Sequence, residues 1–279
     1  MNTNLIIDKA SFERDGYVVV KNVFSADEIK QMREEAYKQY EIDKQKKLDF
    51  QLPNLPTKAK YSKGDLLSKE LLRHALLDDR MLKIARTILG GEKLIYFGDS
   101  SYQIGTGLRG FHRDNIDRTD LTGPDWQGEY TLIRLGIYLQ DHKNYSGGLK
   151  IKVGTHKNAD GKPIFVDSEV GDVGVWSLKT IHSGNAVRLK MFPGYSINTS
   201  GKENLVPSFL KKEQQQERIS LFMTFALKSS HLYRYINEYT LKREDTLAHA
   251  RSSKFDKTVV ELAKQKNVEI LKPIPEYGY

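Results

Sequence analysis

Cysteine is missing from this chain altogether. That excludes disulfides, thiolate metal ligands and cysteine nucleophiles together, and it fits a reducing compartment. The chain also lacks any run close to the roughly 20 consecutive apolar residues of a membrane-spanning helix. Its opening, MNTNLIIDKASFERDGY, has one apolar trio but no extended apolar segment and no small-residue cleavage site. It therefore predicts no secretion signal, a cytoplasmic setting and no membrane partner. Internal repeats and low-complexity linkers are absent too, so one domain over residues 1–279 is the simplest organisation. Dense blocks of like charge are missing as well. Lys and Arg total 44 against 36 Asp and Glu, a net charge of +8. These cations are scattered and predict a solvated lysine-rich surface. A nucleic-acid partner would need a clustered basic face or exposed stacking aromatics, and neither is evident.

What is present suffices for a sizeable core: 39% of the 279 residues are hydrophobic. FERDGYVVVKNVF, residues 12–24, predicts a helical turn followed by a strand. In SADEIKQMREEAYKQY, Ser25 and Glu28 form a capping box, and Ile29, Met32 and Ala36 recur at helical spacing. The segment 47–65 has two prolines and little periodicity, and reads as a loop long enough to act as a lid. LLSKELLRHALLDDRMLKIARTILGG predicts a helix that stops at Gly90 and Gly91. The pattern then changes. KLIYFGDSSYQIG, YTLIRLGIYLQ, LKIKVGTH, GDVGVWSL and RISLFMTFAL are short, rich in β-branched and aromatic residues, and bounded by turns. Helices first and many strands after predict a mainly β protein with flanking α-helices, an antiparallel barrel or sandwich. The expected barrel core is about 92–228, with helical support from 1–91 and a helical tail at 229–279.

Within this frame RGFHRDN, residues 109–115, places His112 and Asp114 two positions apart. At a strand end both would project from one face, with Arg113 pointing away. An imidazole and a carboxylate on one face are two of the three ligands in a 2-His-1-carboxylate set, which holds Fe(II) and leaves its other positions open. A solvated pair is the plain alternative. Among the other histidines, His74 falls on a helical pattern, His142 and His156 in polar turns, and His231 and His249 in the tail. His182 differs. GDVGVWSLKTIHSGNAV reads as a strand, a short turn and a histidine opening another strand, which antiparallel pairing can bring beside His112.

Four pieces in order, FERDGYVVVKNVFSADEI, GFHRDN, LGIYLQDHKNYSGGLKIKVGTHK and GDVGVWSLKTIHSGN, resemble the phytanoyl-CoA dioxygenase-like branch of the Fe(II)/2-oxoglutarate-dependent oxygenases. The resemblance runs from residue 12 to about 228. It implies a double-stranded β-helix, a jelly-roll or cupin-like barrel. It also implies Fe(II) held by His112, Asp114 and His182, with 2-oxoglutarate and O2 as cosubstrates. A basic residue should meet the distal carboxylate of 2-oxoglutarate, and the planar fork of arginine suits that task. Arg218 opens RISLFMTFAL and matches the family context, whereas Arg188 in AVRLKMF reads as exposed. The segment 189–216 reads as an insertion over the mouth of the site.

Ser183 and Gln103 are further cosubstrate contacts suggested by the resemblance, against the plain readings of a turn serine and a barrel-surface glutamine. Trp176 reads as core packing. Arg134, inside an apolar strand, is solvated if it faces out and needs an anionic partner such as substrate if it faces in. Arg109, Arg113, Arg118 and Arg134 near the site favour a polar, anionic small molecule such as a sugar, amino acid or natural-product intermediate. Within the family it resembles, the carboxylate at Asp114 implies hydroxylation of an unactivated C–H bond, with desaturation and ring chemistry as the alternatives. The rival reading is a metal-binding barrel that is no oxygenase, isomerase-like, hydrolase-like or catalytically silent, because three ligands and an open position also describe a catalytic zinc site.

Overall fold

The computed structural model describes residues 5–50, 59–107, 110–197, 200–213 and 216–279. The longest ladder in it joins Ile219–Ala226 to Leu132–Tyr138. Around that pair a large sheet extends in the order Tyr17–Val20, Val173–Ser177, Leu132–Tyr138, Ile219–Ala226, Ser100–Ile104, Lys60–Ser62 and Asp49–Phe50. Every neighbour along this path is antiparallel. Leu94–Tyr96 pairs with the end of Ile219–Ala226, and Val268–Ile270 lies parallel beside it. A smaller sheet holds His182–Ser183, Lys150–Lys152 and Pro163–Phe165.

Side-chain alternation explains how the sheets pack. From Leu132–Tyr138, Ile133, Leu135 and Ile137 join one apolar cluster with Ile29, Met32 and Ala36 of helix Ala26–Gln45 and with Met81, Leu82 and Ile84 of helix Asp79–Leu89. The other face carries Tyr138, which packs with Trp176 against Leu149, Ile151 and Val166 of the smaller sheet and its flanks. One face of the large sheet is thus backed by helices, and the other meets the smaller sheet. Two facing antiparallel sheets, open at their edges, are the double-stranded β-helix the resemblance implied. Burying the apolar side chains of Asp79–Leu89 contributes on the order of 10 kcal/mol, an upper figure because the unfolded chain already hides some of that surface.

Local chemistry sets the element ends. Ser25 accepts from the Glu28 N–H and Glu28 accepts from the Ser25 N–H, so the expected capping box is formed. The helix expected up to Gly90 and Gly91 is broken instead into Leu66–Ser68, Arg73–Leu76 and Asp79–Leu89. Asp78 causes the last break, because its side chain accepts from the Arg80 N–H and starts a new helix. Gly90 ends that helix in the left-handed conformation. The expected loop 47–65 contributes two strands, Asp49–Phe50 at the edge of the sheet and Lys60–Ser62 next to it, while 51–58 lie outside the described residues. Gly171, at φ +91°, brings the N-terminal strand onto the sheet. Its carbonyl accepts from both Val23 and Phe24, and a Cβ there would stand 2.0 Å from the Phe24 oxygen.

Candidate metal centre and its cavity

His112 and His182 are brought together by backbone pairing. Each donates its N–H to the other's carbonyl at 2.9 Å, a lone bridge that seats two residues distant in sequence side by side. Asp114 completes the group. Its Oδ1 is 3.5 Å from His112 Nε2 and its Oδ2 is 3.5 Å from His182 Nε2. The three ligand atoms all lie within 4.8 Å of one another. The two 3.5 Å spacings approach the ~3 Å edge of an octahedral face built from bonds of about 2.1 Å.

Tautomer control suits the same purpose. His112 Nδ1 is 2.8 Å from the Gly110 carbonyl and His182 Nδ1 is 3.0 Å from the Thr180 carbonyl. A carbonyl only accepts, so the proton sits on Nδ1 and the Nε2 lone pair faces the shared point. Burial, beyond what Asp114 restores, lowers the His182 pKa to about 4, so this ring is neutral near pH 7. Asp114 remains ionised for the opposite reason. Burial would raise it, but Arg134 first, then His182 and His112, hold it at about 2. Two imidazoles that present Nε2 and an ionised carboxylate, gathered on one side, fit a divalent cation.

Arg134 faces inward. Its guanidinium donates to Asp114 Oδ2 at 2.9 Å, to Asp99 Oδ2 at 2.7 Å and to the Thr224 hydroxyl at 3.2 Å. Its anionic partners are therefore side chains of this chain. Thr224 faces Arg134 across the ladder and also donates to Asp99. Arg113 points away from the metal group, as alternation predicts, and its guanidinium donates to five backbone carbonyls from Lys179, Arg118, Thr155, Asn158 and Ala159. Arg118 lies 5.8 Å from the Tyr239 ring and its Nε is 3.4 Å from the Asn115 carbonyl. Arg109 lies outside the described residues.

A cavity of about 420 Å³ opens above the triad, with His112, His182, Arg134 and Arg218 in its wall. Arg218 is 6% exposed; its Nε donates to the Gly147 carbonyl at 2.8 Å and it lies 5.4 Å from the Tyr138 ring. Its Nη1 is buried with no hydrogen-bond partner, and burial lowers its pKa. Arg188 is buried rather than exposed. It ion-pairs with Asp167, covers Phe165 at 4.1 Å and stays away from the cavity. Gln103 lines the cavity, with Nε2 donating to Gly105 O at 3.2 Å. Ser183 does not line it. Its hydroxyl accepts from the Gly110 N–H at 3.1 Å, and so supports the loop whose carbonyl orients His112. Trp176 packs in the small cluster and also lines the cavity, 5.4 Å from the His182 ring. Gly136 makes room for it, because a Cβ there would lie 3.0 Å from the indole.

Further features of the site were missed or misplaced by the sequence reading. Tyr61 from the strand Lys60–Ser62 and Tyr239 from the tail both line the cavity. Asp99 receives the Tyr235 hydroxyl at 3.3 Å as well as Arg134. His142, expected in a polar turn, is buried beneath Arg218, accepts from Gln140 Nε2 at 2.7 Å and is held near a pKa of about 3 by burial and then by Arg218. The inward arginine in an apolar strand was the only sequence signal of this network. The segment 189–216, expected over the mouth, contributes no described residue to the cavity wall. It packs outside the smaller sheet instead, where Glu203 forms a fully buried ion pair with Lys150 at 2.8 Å.

The fold and this ligand group define a double-stranded β-helix protein with two histidines and one carboxylate arranged for a metal. A family model described as phytanoyl-CoA dioxygenase (PhyH) matches residues 12–188, and the chain belongs to that family. An ectoine dioxygenase from Stutzerimonas stutzeri (strain A1501) is 26% identical over 155 residues, 53% of this chain and 49% of that protein. The chain thus spans about half the length of the curated relative it matches. Among solved structures, the epimerase SnoN from nogalamycin biosynthesis superposes with a TM-score of 0.54 at 16% identity, covering 78% of this chain and 80% of that one. HygX from Streptomyces hygroscopicus, solved with nickel, 2-oxoglutarate and hygromycin B, gives 0.54 at 16% identity over 77% and 84%. At these identities the likeness is one of fold.

Proposed function

We propose that this chain is an Fe(II)- and 2-oxoglutarate-dependent dioxygenase that hydroxylates a C–H bond of a compact polar small molecule. His112, Asp114 and His182 would hold the iron, and Arg218 the distal carboxylate of 2-oxoglutarate. Iron with 2-oxoglutarate and O2 supplies the oxidising power that converts C–H to C–OH, with succinate and CO2 as coproducts. The observation that carries the reading is the pairing of that triad with Arg218 in one cavity. A buried guanidinium that forms no ion pair among the described residues calls for an anion from outside the protein. The other residues orient and enclose. Gly110 and Thr180 set the imidazole tautomers, Arg134 holds the carboxylate, and Trp176, Tyr61 and Tyr239 form walls that exclude water.

The same cavity has to admit cosubstrate and substrate together, which favours a compact substrate. Arg113 and Arg134 are committed within the protein, so the cationic character near the site leaves Gln103 and the aromatic walls as the groups offered to it. An uncharged or zwitterionic polar molecule therefore fits better than a polyanion. Residues 1–279 act in this reading as one domain, supported by a core cluster that runs from Val18 to Tyr277.

The test is anaerobic. Adding Fe(II) and then 2-oxoglutarate should produce a weak visible charge-transfer band that neither gives alone. His182→Ala should abolish it. Arg218→Ala should keep iron binding and weaken 2-oxoglutarate binding about a hundredfold, in line with the loss of a buried charge-assisted pair. Iron bound without the band would move the non-oxygenase metal barrel to the front.

A further inference from the structure

A second cavity, of about 400 Å³, lies across the large sheet from the metal centre. The sheet is the partition. Arg134 and Trp176 line the metal cavity, whereas their chain neighbours Ile133 and Ser177 line the second one, as alternation along a strand requires. Phe12, Ile88 and Leu89 give it an apolar floor. Lys179 enters from the turn after Val173–Ser177, with its ammonium 4.8 Å from the Trp126 ring and 5.4 Å from the Tyr130 ring.

The charge pattern here is unbalanced. Lys179 is half-buried, and among the described residues its ammonium makes no hydrogen bond or ion pair. Burial holds it below the usual lysine range. Lys157, exposed at the rim, is in the same position with regard to partners. The Arg113 guanidinium lies 5.1 Å from the Trp126 ring, and its donors end on backbone carbonyls rather than on a carboxylate. Asp125, the acid that acts on Lys179, is already taken by Arg234 at 3.0 Å and by the Asn115 side chain. Of the acids in the lining, Glu13 pairs with Lys9 at 3.7 Å and Glu129 is exposed at the edge. Lysines thus converge on an aromatic wall and an apolar floor, and neither glutamate of the lining pairs with Lys179 or Lys157.

We propose that this cavity is a second ligand site, separate from the metal centre, for a small molecule with a flat apolar body and one anionic group, an aromatic carboxylate being its simplest form. The anion meets Lys179 and Lys157, and the body lies between Trp126 and the floor. The proposal does not depend on the oxygenase reading, because none of its groups belongs to the metal cavity.

Trp126 is one of two tryptophans, the other being Trp176 in the metal cavity, so it reports on this site. The full chain would be titrated with benzoate, cyclohexanecarboxylate and inorganic phosphate, by calorimetry and tryptophan fluorescence. Benzoate should bind most tightly and change the emission. Trp126→Phe should remove the change in emission. Lys179→Met, which keeps the stem, should weaken benzoate about tenfold or more, and Lys157→Gln should weaken it less. His182→Ala should leave binding unchanged. Absence of binding at millimolar benzoate would overturn the proposal. So would full binding in Lys179→Met with native circular dichroism, or loss of binding in His182→Ala, which would place the probe in the metal cavity. Phosphate or cyclohexanecarboxylate binding as tightly as benzoate would overturn the flat-body part.

Discussion

Arg134 occupies a strand position where its neighbours Ile133 and Leu135 are buried, and its guanidinium is what lets an enclosed carboxylate stay ionised. Removing one member of such a group leaves the other charged and unpaired, typically at about 3–5 kcal/mol. Arg134→Met should therefore weaken divalent-metal affinity by roughly ten- to a hundredfold, the usual range for a partner behind a ligand. Asp99→Asn should do less, since it keeps one acceptor for Arg134. Titration with Co(II) in protein of native circular dichroism checks this, and unchanged affinity in Arg134→Met would remove it from the site. The sequence made His112, Asp114 and His182 legible because spacing on a strand and the order of family motifs are local in character. It also preferred Arg218, which lines the cavity, over Arg188, which does not. Asp99, His142 and Tyr239 were not legible, because their importance comes from which distant strand or helix they meet.

Among the elements, the segment 189–216 departs most from its expected place. Sequence revealed its extra length but not its side, because the anchor is a lysine on Lys150–Lys152 paired with a glutamate in helix Ser200–Asn204. Val187 also donates its N–H to Glu203 at 3.0 Å. Both charged residues are fully buried, so Glu203→Ala should cost about 3–5 kcal/mol and loosen the segment, whereas Lys150→Met with Glu203→Leu should recover most of that loss. Urea denaturation gives the energies, and limited proteolysis within 189–216 gives the loosening. A single variant as stable as the parent would mean the pair anchors nothing. The helices backing the sheet were legible from their apolar spacing, except where Asp78 offered a competing start signal that the longer periodic pattern concealed.

The molecule as a whole keeps several histidines neutral inside. Burial holds His142 at about 3 and His182 at about 4, and lowers His156 and His249 too, from an ordinary value of 6.5. Since the unfolded chain takes up protons on these rings first, their contribution is complete above about pH 6.5 and is lost as pH falls toward 4 and then 3. Chelator-treated protein should thus lose melting temperature steadily below pH 6.5, by an amount worth several kcal/mol by pH 4. His142→Phe should flatten the early part of that slope, and a flat profile in the parent would refute the account. Sequence pattern made most of the strands legible but not their order in the sheets, while the tail showed only its helical character. Its strand Val268–Ile270 and its reach to Asp99 through Tyr235 depend on partners far back in the chain, 136 positions earlier in the case of Asp99.

The bridge between His112 and His182 has one more consequence. It is a reciprocal pair of hydrogen bonds between segments far apart in the chain, and a slip of one residue on either side would turn a histidine out of the group. A coloured ion such as Co(II) can then be captured tightly only by molecules whose register is correct. Ion capture during refolding becomes a stopwatch for the last long-range closure, and the fraction of molecules that never take up colour counts those trapped in the wrong register.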